Sequence, residues 1–239
     1  MLRLLTLGGL SFADEHGHEV RRVLRRPKWV AFLCILATSR GWVARETLLA
    51  LLWPDLDEAH ARHALRQTLS EVNAALPRST LLSEAGAGLM ASPEHLWCDA
   101  AVLYAAAREE RHAEVCDLYG GDYLPGFDGS SHSRAFEEWI DGRRRALRGH
   151  AHRSTWALAV RAEAEGDTVG ACQLAVRAAD LEPYDEAVLR RTLRLLMRQG
   201  DRARAHEVFR FFRDRYYADL ELVPSAETLA LLKEISAIP

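Results

Sequence analysis

The sequence has few cysteines and lacks an apolar run long enough to cross a membrane. Its four cysteines lie far apart and form no CxxC pair. This spacing predicts buried thiols in a reducing compartment, with no disulfide framework or zinc site. The longest apolar run covers residues 29–37 and is too short for a bilayer. Met1 leads directly into a strand-like pattern without a signal peptide, so we expect a soluble cytoplasmic protein with no membrane partner.

The sequence also lacks a strong excess of charge of either sign. Its 239 residues carry 31 Lys and Arg against 34 Asp and Glu, a formal net charge of -3. Residues 1–98 carry 11 basic and 10 acidic side chains. A strongly basic nucleic-acid binder is therefore excluded, whereas a specific DNA binder with one local basic face is still allowed. Apolar residues make up 49% and charged residues 27%, an ordinary globular composition.

Motifs that mark enzymes or cofactor sites are absent as well. The chain contains no GxxxxGK[ST], no GxSxG and no HExxH pattern. His60 and His63 lie three residues apart, but no third metal ligand accompanies them. The sequence therefore predicts no enzyme activity, no metal site and no cofactor.

The segment from Trp53 to Leu76 carries the clearest helical pattern in the chain. Asp57 suits the N-cap position, and the apolar residues that follow recur at steps of three or four, which places them on one buried stripe. These are Ala61, Leu65, Leu69, Val72 and Leu76. The opposite face presents Arg62, His63, Arg66, Gln67, Ser70 and Asn73. Such a helix is suited to docking on a partner.

Shorter elements surround this amphipathic helix. The patterns predict two antiparallel strands over residues 2–13 and 19–24, a helix over 27–39 and a short helix over 45–53. After Pro77 the pattern over residues 80–99 changes to loose alternation around Gly86 and Gly88, which predicts a β-hairpin in this stretch. Strands, three helices and a closing hairpin describe a winged helix-turn-helix, with the amphipathic helix as its recognition helix and the hairpin as its wing.

Helical patterns dominate from Asp99 onward. Gly166-Asp167 and Gly200-Asp201 begin similar segments 34 residues apart, and the same shift places Ala171 over Ala205. This is the tetratricopeptide period.

Two matched repeats need flanking helices. We predict these over residues 99–110, 111–119, 134–165 and 225–238, with a loop over 120–133. The predicted fold is mainly α. It consists of an α+β winged helix-turn-helix over residues 1–97 and an all-α tetratricopeptide-like domain over residues 98–239.

Two groups of motifs resemble one bacterial family. The stretches LTLGGL, RRPK, LLALLWPD and HARHALRQTLSEV resemble the OmpR/PhoB-like DNA-binding domain of SARP-type regulators. The stretches LYGGDYLPGF, EEWIDGRRRAL, AEGD, LEPYDEAVLRRTLRLLMRQGDRARAHEVF and LVPSAETLALL resemble their bacterial transcriptional activator domain. The two groups cover nearly the whole chain and follow the order that the family shows.

The resemblance implies a transcription activator that binds direct repeats of double-stranded DNA upstream of a promoter. It also implies partners for the helical domain, either RNA polymerase or another protein, or a second protomer on DNA. Larger members add a nucleotide-binding ATPase module, and this sequence lacks its GxxxxGK[ST] motif. The resemblance therefore implies a minimal regulator without that switch.

Two interpretations of the predicted recognition helix stay open. Arg62 and Arg66 can pair with guanine and Gln67 with adenine in a major groove. Alternatively, this face is a solvated surface with a Glu58–Arg62 ion pair, and the chain is a protein-interaction adaptor that has lost DNA binding. The adaptor is favoured by one departure from the family. Where relatives carry a basic pair near the helix end, residues 72–76 have the sequence VNAAL.

A second basic cluster precedes the helix predicted over residues 27–39. It consists of Arg21, Arg22, Arg25, Arg26 and Lys28. We interpret this cluster as a solvated edge in preference to a contact with the DNA backbone, because charge runs usually face solvent.

Overall fold

The structure is a computed structural model that describes residues 1–77, 79–127 and 133–237. Its strands are β1 (Leu2–Leu5), β2 (Ser11–Ala13), β3 (Leu81–Glu84), β4 (Gly88–Ala91) and β5 (Leu96–Cys98). Its first four helices are α1 (Arg21–Leu24), α2 (Pro27–Thr38), α3 (Arg45–Leu52) and α4 (Glu58–Ala75). The others are α5 (Asp99–Arg108), α6 (His112–Leu118), α7 (Arg134–Ala164), α8 (Thr168–Leu181), α9 (Glu186–Arg198), α10 (Arg202–Leu220) and α11 (Ala226–Ala237).

Strands β1, β2 and β5 form a three-stranded sheet in the order β2-β1-β5. Strand β1 pairs antiparallel with β2 and parallel with β5. The prediction of a second strand over residues 19–24 is wrong for residues 21–24. Glu19 does pair with Ala13, but Arg21–Leu24 forms α1. Pairing with β2 reaches Val20, whose N–H donates to the Phe12 carbonyl oxygen at 2.8 Å. The helical turn that follows buries Val23 while Arg21 and Arg22 stay exposed.

The predicted helices of the N-terminal half are present as α2, α3 and α4. Nine of the twelve residues of α2 are buried, so this helix forms the centre of the core. The predicted hairpin is β3 paired antiparallel with β4. Val43 adds a third extended segment through reciprocal hydrogen bonds of 2.7 and 2.9 Å with Leu89. This arrangement confirms the predicted winged helix-turn-helix fold followed by a helical domain. Helix α4 occupies the position that was predicted for the recognition helix, and its recognition role stays a prediction.

The chain divides into two compact units. The N-terminal unit comprises residues 1–109 and 117–147, and the C-terminal unit comprises residues 110–116 and 148–239. Residues beyond the predicted boundary contribute to the N-terminal core: Tyr123 is fully buried and pairs with Leu7 at the end of β1. The division at residues 97 and 98 stays a prediction. Of the predicted loop over 120–133, residues 128–132 lie outside the described ones.

Helices α8, α9 and α10 pack successively in the C-terminal unit. Gly166 and Gly200 occupy equivalent positions in the two similar segments, and both adopt positive φ, of 82° and 75°. Asp167 and Asp201 follow them and cap α8 and α10 through backbone N–H groups three residues ahead. Such side-chain caps satisfy amide donors that the first helical turn leaves without partners. The aligned positions therefore have the same local structure, while the tetratricopeptide type of the repeat stays a prediction.

The final helix, α11, is held on α9 by a carboxylate. Glu186 accepts hydrogen bonds from the Ser225 backbone N–H at 2.9 Å and the Ser225 hydroxyl at 2.5 Å, and also one from the Thr228 hydroxyl. Burial opposes ionisation of Glu186, but these hydrogen bonds and nearby Arg190 hold its pKa below the ordinary value of 4.5. The ionised carboxylate therefore stabilises this end of the chain.

Replacing Glu186 with glutamine is expected to loosen α11 at neutral pH. A lowered folded-state pKa contributes stability that is fully present above pH 4.5 and is lost as the pH falls below it. Hydrogen exchange of α11 amides should therefore be faster in the variant than in the parent at pH 7, and the difference should shrink under acidic conditions. A difference that is constant with pH would contradict this role of the charge.

Across the described residues, no helix combines the length and apolar character that crossing a bilayer requires. The four cysteines are free thiols, and burial raises the pKa of Cys98 to about 12. A thiol with such a pKa is a poor nucleophile at neutral pH.

Candidate nucleic-acid interface

Helix α4 begins at the predicted cap. The Asp57 carboxylate accepts a hydrogen bond from the His60 backbone N–H at 3.0 Å. This hydrogen bond lowers the pKa of Asp57. The helix buries Ala61, Leu65 and Val72 as predicted, but Leu69 is half-buried and Thr68 is buried in addition. The cap and the apolar stripe together fix which face of α4 points outward.

The outward face of α4 carries all the side chains that were predicted from the sequence to lie there. All six are exposed, and they lie on one surface of α4: Arg62, His63, Arg66, Gln67, Ser70 and Asn73. The structure therefore brings the predicted residues together as a continuous surface.

The charges on this surface are nearly balanced. Arg62 forms an ion pair with Glu58 across 2.6 Å, as the solvated-surface interpretation expected. Gln67 donates a hydrogen bond from Nε2 to Oε1 of Glu71 at 3.0 Å. Within the described residues, Arg66 has no acidic partner. Arg66 is therefore the cation of α4 that is available to an incoming anion without breaking an existing pair.

The wing offers few cations of its own. Residues 79–93 contain no Lys or Arg, and Glu84 at the end of β3 is exposed. Arg45, at the first position of α3, donates a hydrogen bond to the Ser83 hydroxyl at 2.9 Å and places a guanidinium beside the wing. No local sequence pattern predicts this contact, because the two residues are 38 positions apart.

The second basic cluster is partly engaged in contacts with the protein. Lys28 donates to the carbonyl oxygen of Leu52, and burial lowers its pKa although Asp55 opposes the shift. Arg22 and Arg26 lie over the ring of Trp29, at 5.9 and 5.1 Å from its centroid.

Arg26 also reaches Glu71 of α4, with Nη1 3.4 Å from Oε2. One edge of the basic cluster therefore adjoins the outward face of α4. No local sequence pattern connects these two features, because 45 residues separate Arg26 from Glu71.

The arrangement is suited to recognising a nucleic-acid groove. A guanidinium can donate two hydrogen bonds to guanine, and a carboxamide can donate to and accept from adenine. Arg66 and Gln67 supply these two groups at adjacent positions near the middle of α4. In the described part of the chain, no group of three or more His, Cys, Asp or Glu side chains is placed to hold a metal ion.

Comparison with protein-family models matches residues 97–236 to the bacterial transcriptional activator domain. This segment is more than half of the chain. A comparison with curated proteins finds no match.

A comparison with solved structures finds Mycobacterium tuberculosis EmbR, solved in complex with a low-affinity phosphopeptide. The alignment has a TM-score of 0.65 at 19% sequence identity and covers 98% of this chain. The chain spans 65% of the length of the EmbR chain. At this identity the similarity concerns the fold, and it extends over both the winged helix and the helical segment.

Proposed function

Because the chain belongs to the bacterial transcriptional activator domain family and has the architecture of a SARP-type transcription regulator, we propose that it activates transcription by binding specific DNA sequences through α4. The observation that carries this proposal is the outward face of α4, where Arg66 lies next to Gln67 and has no acidic partner among the described residues. In a winged helix, this helix is the element that enters the major groove.

The proposed mechanism separates positioning from sequence recognition. Phosphate contacts set the register of the protein on the duplex, and base contacts from Arg62, Arg66 and Gln67 supply the sequence preference. His63, Ser70 and Asn73 flank these residues and are proposed to make additional contacts along the groove. Recognition is concentrated in the first half of α4, because its second half carries no basic residue.

The proposal also assigns a role to each of the two parts of the chain. Residues 1–97 form the DNA-binding domain, and residues 98–239 contact RNA polymerase, another protein or a second protomer. The protein acts in the bacterial cytoplasm on double-stranded DNA. It requires no cofactor and catalyses no reaction.

Replacing Arg66 with alanine is expected to weaken operator binding by about 1–3 kcal/mol, the usual contribution of a bidentate contact between a side chain and a base. The operator is first selected from a random DNA pool, and affinity is then measured by fluorescence anisotropy. Arg161→Ala is the matched control, because it removes the same charge from an exposed site in the C-terminal unit where Arg161 pairs with Glu165.

Two results would refute the assignment of α4. The first is that Arg66→Ala binds the selected operator as tightly as the parent. The second is that Arg161→Ala weakens binding as much as Arg66→Ala does. A salt titration provides an independent readout, because the logarithm of the affinity falls steeply with the logarithm of salt concentration when phosphates are neutralised.

A second candidate function is a protein-interaction adaptor whose winged helix no longer binds DNA. Its support is the absence of basic residues in the wing, together with Asn73 and Ala74 where relatives carry a basic pair. The same selection separates the two functions. An enriched repeated motif supports the regulator, whereas a pool without enrichment and a shallow dependence on salt support the adaptor.

A further inference from the structure

We propose that Glu71 and Arg26 are positioning residues that fix the orientation of the Gln67 carboxamide and thereby restrict its base preference to adenine. This inference rests on the proposed DNA-binding function and adds a determinant of specificity. Neither Glu71 nor Arg26 needs to contact a base. Their role is to decide which end of the Gln67 amide faces the DNA.

The geometry links Gln67 to the protein core in three steps. Gln67 Nε2 donates to Oε1 of Glu71 at 3.0 Å, and Arg26 Nη1 lies 3.4 Å from Oε2 of the same carboxylate. Each carboxylate oxygen therefore has its own partner. The Arg26 guanidinium lies over the ring of Trp29, which is 3% exposed and belongs to the buried helix α2. The position of Glu71 is thus set by two elements, α4 and the N-terminus of α2.

The chemistry of a carboxylate determines the orientation of the amide. An ionised carboxylate only accepts hydrogen bonds, so the nitrogen end of Gln67 must face Glu71. The carboxamide oxygen and the second N–H are then left for a partner in the groove. Adenine offers an acceptor at N7 and a donor at N6, which matches this pair of groups. A carboxamide without such a neighbour can rotate and present its two ends in either order.

Charge explains why an acidic residue is compatible with this surface. A carboxylate beside a DNA phosphate is unfavourable, because the duplex is a polyanion. Arg26 offsets the charge of Glu71, and the side chain of Glu71 is only 33% exposed. The pair can therefore orient Gln67 without adding net negative charge to the outward face of α4.

The test uses the full chain and compares selected DNA motifs among variants. Gln67→Ala first identifies the operator position that Gln67 contacts, as the position whose adenine preference disappears. At that position the parent should prefer adenine on the order of tenfold, as expected for one bidentate contact. Glu71→Met, which removes the acceptor, should reduce the preference to about twofold while binding to unrelated DNA becomes tighter.

Two further variants separate orientation from charge. Glu71→Gln keeps a carboxamide oxygen that can accept from Gln67, so it should retain most of the adenine preference. Arg26→Met should broaden the preference at the same position without changing the salt dependence. If Arg26 instead contacts a phosphate, the variant should lower the slope of log affinity against log salt by about 0.9 and leave base preference intact, which would overturn its positioning role.

The failure of this inference differs from the failure of the proposed function. If the parent enriches no motif, DNA recognition itself is refuted. If the parent enriches a motif but Glu71→Met keeps the same preference at every position, only the positioning role is refuted. The same conclusion follows if Gln67→Ala alters no position. Thermal unfolding of each variant verifies the fold, and Glu71→Gln provides a conservative substitution at the same site.

Discussion

Replacing Asp99 with asparagine is expected to lower the free energy of unfolding of the N-terminal unit by about 3 kcal/mol, because a carboxylate that accepts several buried hydrogen bonds is replaced by a group that also donates. Asp99 is 3% exposed. It accepts from the Thr6 and Leu7 backbone N–H groups at 2.8 and 2.9 Å and from the Thr6 hydroxyl at 2.6 Å. The Ala100 N–H donates to it at 2.7 Å.

An asparagine side chain cannot satisfy all of these donors. Its NH₂ group would face a backbone N–H, leaving donors on both sides without an acceptor. The loss should appear in urea unfolding followed by tryptophan fluorescence, since five of the six tryptophans lie in the N-terminal unit. Asp117→Asn makes the same chemical change at an exposed position and should shift the midpoint little. Equal shifts in the two variants would contradict a specific role for Asp99.

Replacing Gly88 with alanine is expected to destabilise the N-terminal unit by about 3 kcal/mol or more, because two penalties act at one position. Gly88 adopts φ +111°, which L-residues with a side chain rarely adopt. A Cβ atom there would also lie 2.0 Å from the carbonyl oxygen of Val43. The reciprocal hydrogen bonds between Val43 and Leu89 hold these backbones together, so neither can move aside without losing them.

Gly86 in the same hairpin supplies the control. It also has positive φ, of 83°, but a Cβ atom there meets no heavy atom of the described residues within 4 Å. Gly86→Ala should therefore cost only the conformational term, about 1 kcal/mol. Urea midpoints of the two variants separate the steric contribution from the conformational one. If both variants unfold at the same concentration, the close approach of the Val43 segment to the wing is not required for stability.

These two positions connect the stability of the winged helix to its proposed function. Asp99 joins β1 to the start of α5, and Gly88 lets the segment before α3 pair with the wing. Arg45 begins α3 two residues after Val43 and contacts Ser83 of the wing. A change at Gly88 is therefore expected to weaken DNA binding through the placement of Arg45 and the wing, even where α4 itself stays helical.

The sequence was sufficient to predict α4 and its exposed face. Asp57, the apolar spacing and the intervening polar residues all act within one helix, where periodicity alone decides which side chains share a face. The hairpin was predictable for a similar reason, since two glycines and the change of period lie within a short segment. These signals are local, and the structure confirms the elements that they predict.

Other features depend on pairing across long sequence separations. Residues 96–98 were predicted as part of the hairpin. They form β5, which pairs in parallel with β1 near the start of the sequence. Residues 21–24 were predicted as part of an extended segment that starts at Glu19, yet they form α1, which buries Val23. Tyr123 lies in a segment predicted as a loop, and only its pairing with Leu7 shows that it completes the core.

The sequence by itself determined that this chain contains a winged helix followed by helices, and that α4 presents Arg62, Arg66 and Gln67 outward. Comparison of the sequence with relatives also showed that residues 72–76, VNAAL, lack the basic pair near the end of that helix. The Glu58–Arg62 ion pair lies within α4 and could be predicted from the sequence. Only the tertiary structure decided that Glu71, which holds Gln67, also meets Arg26. The physical reason is that helical periodicity orders neighbours within one helix, whereas the contact between Arg26 and α4 exists only after α2 has packed against the rest of the winged helix.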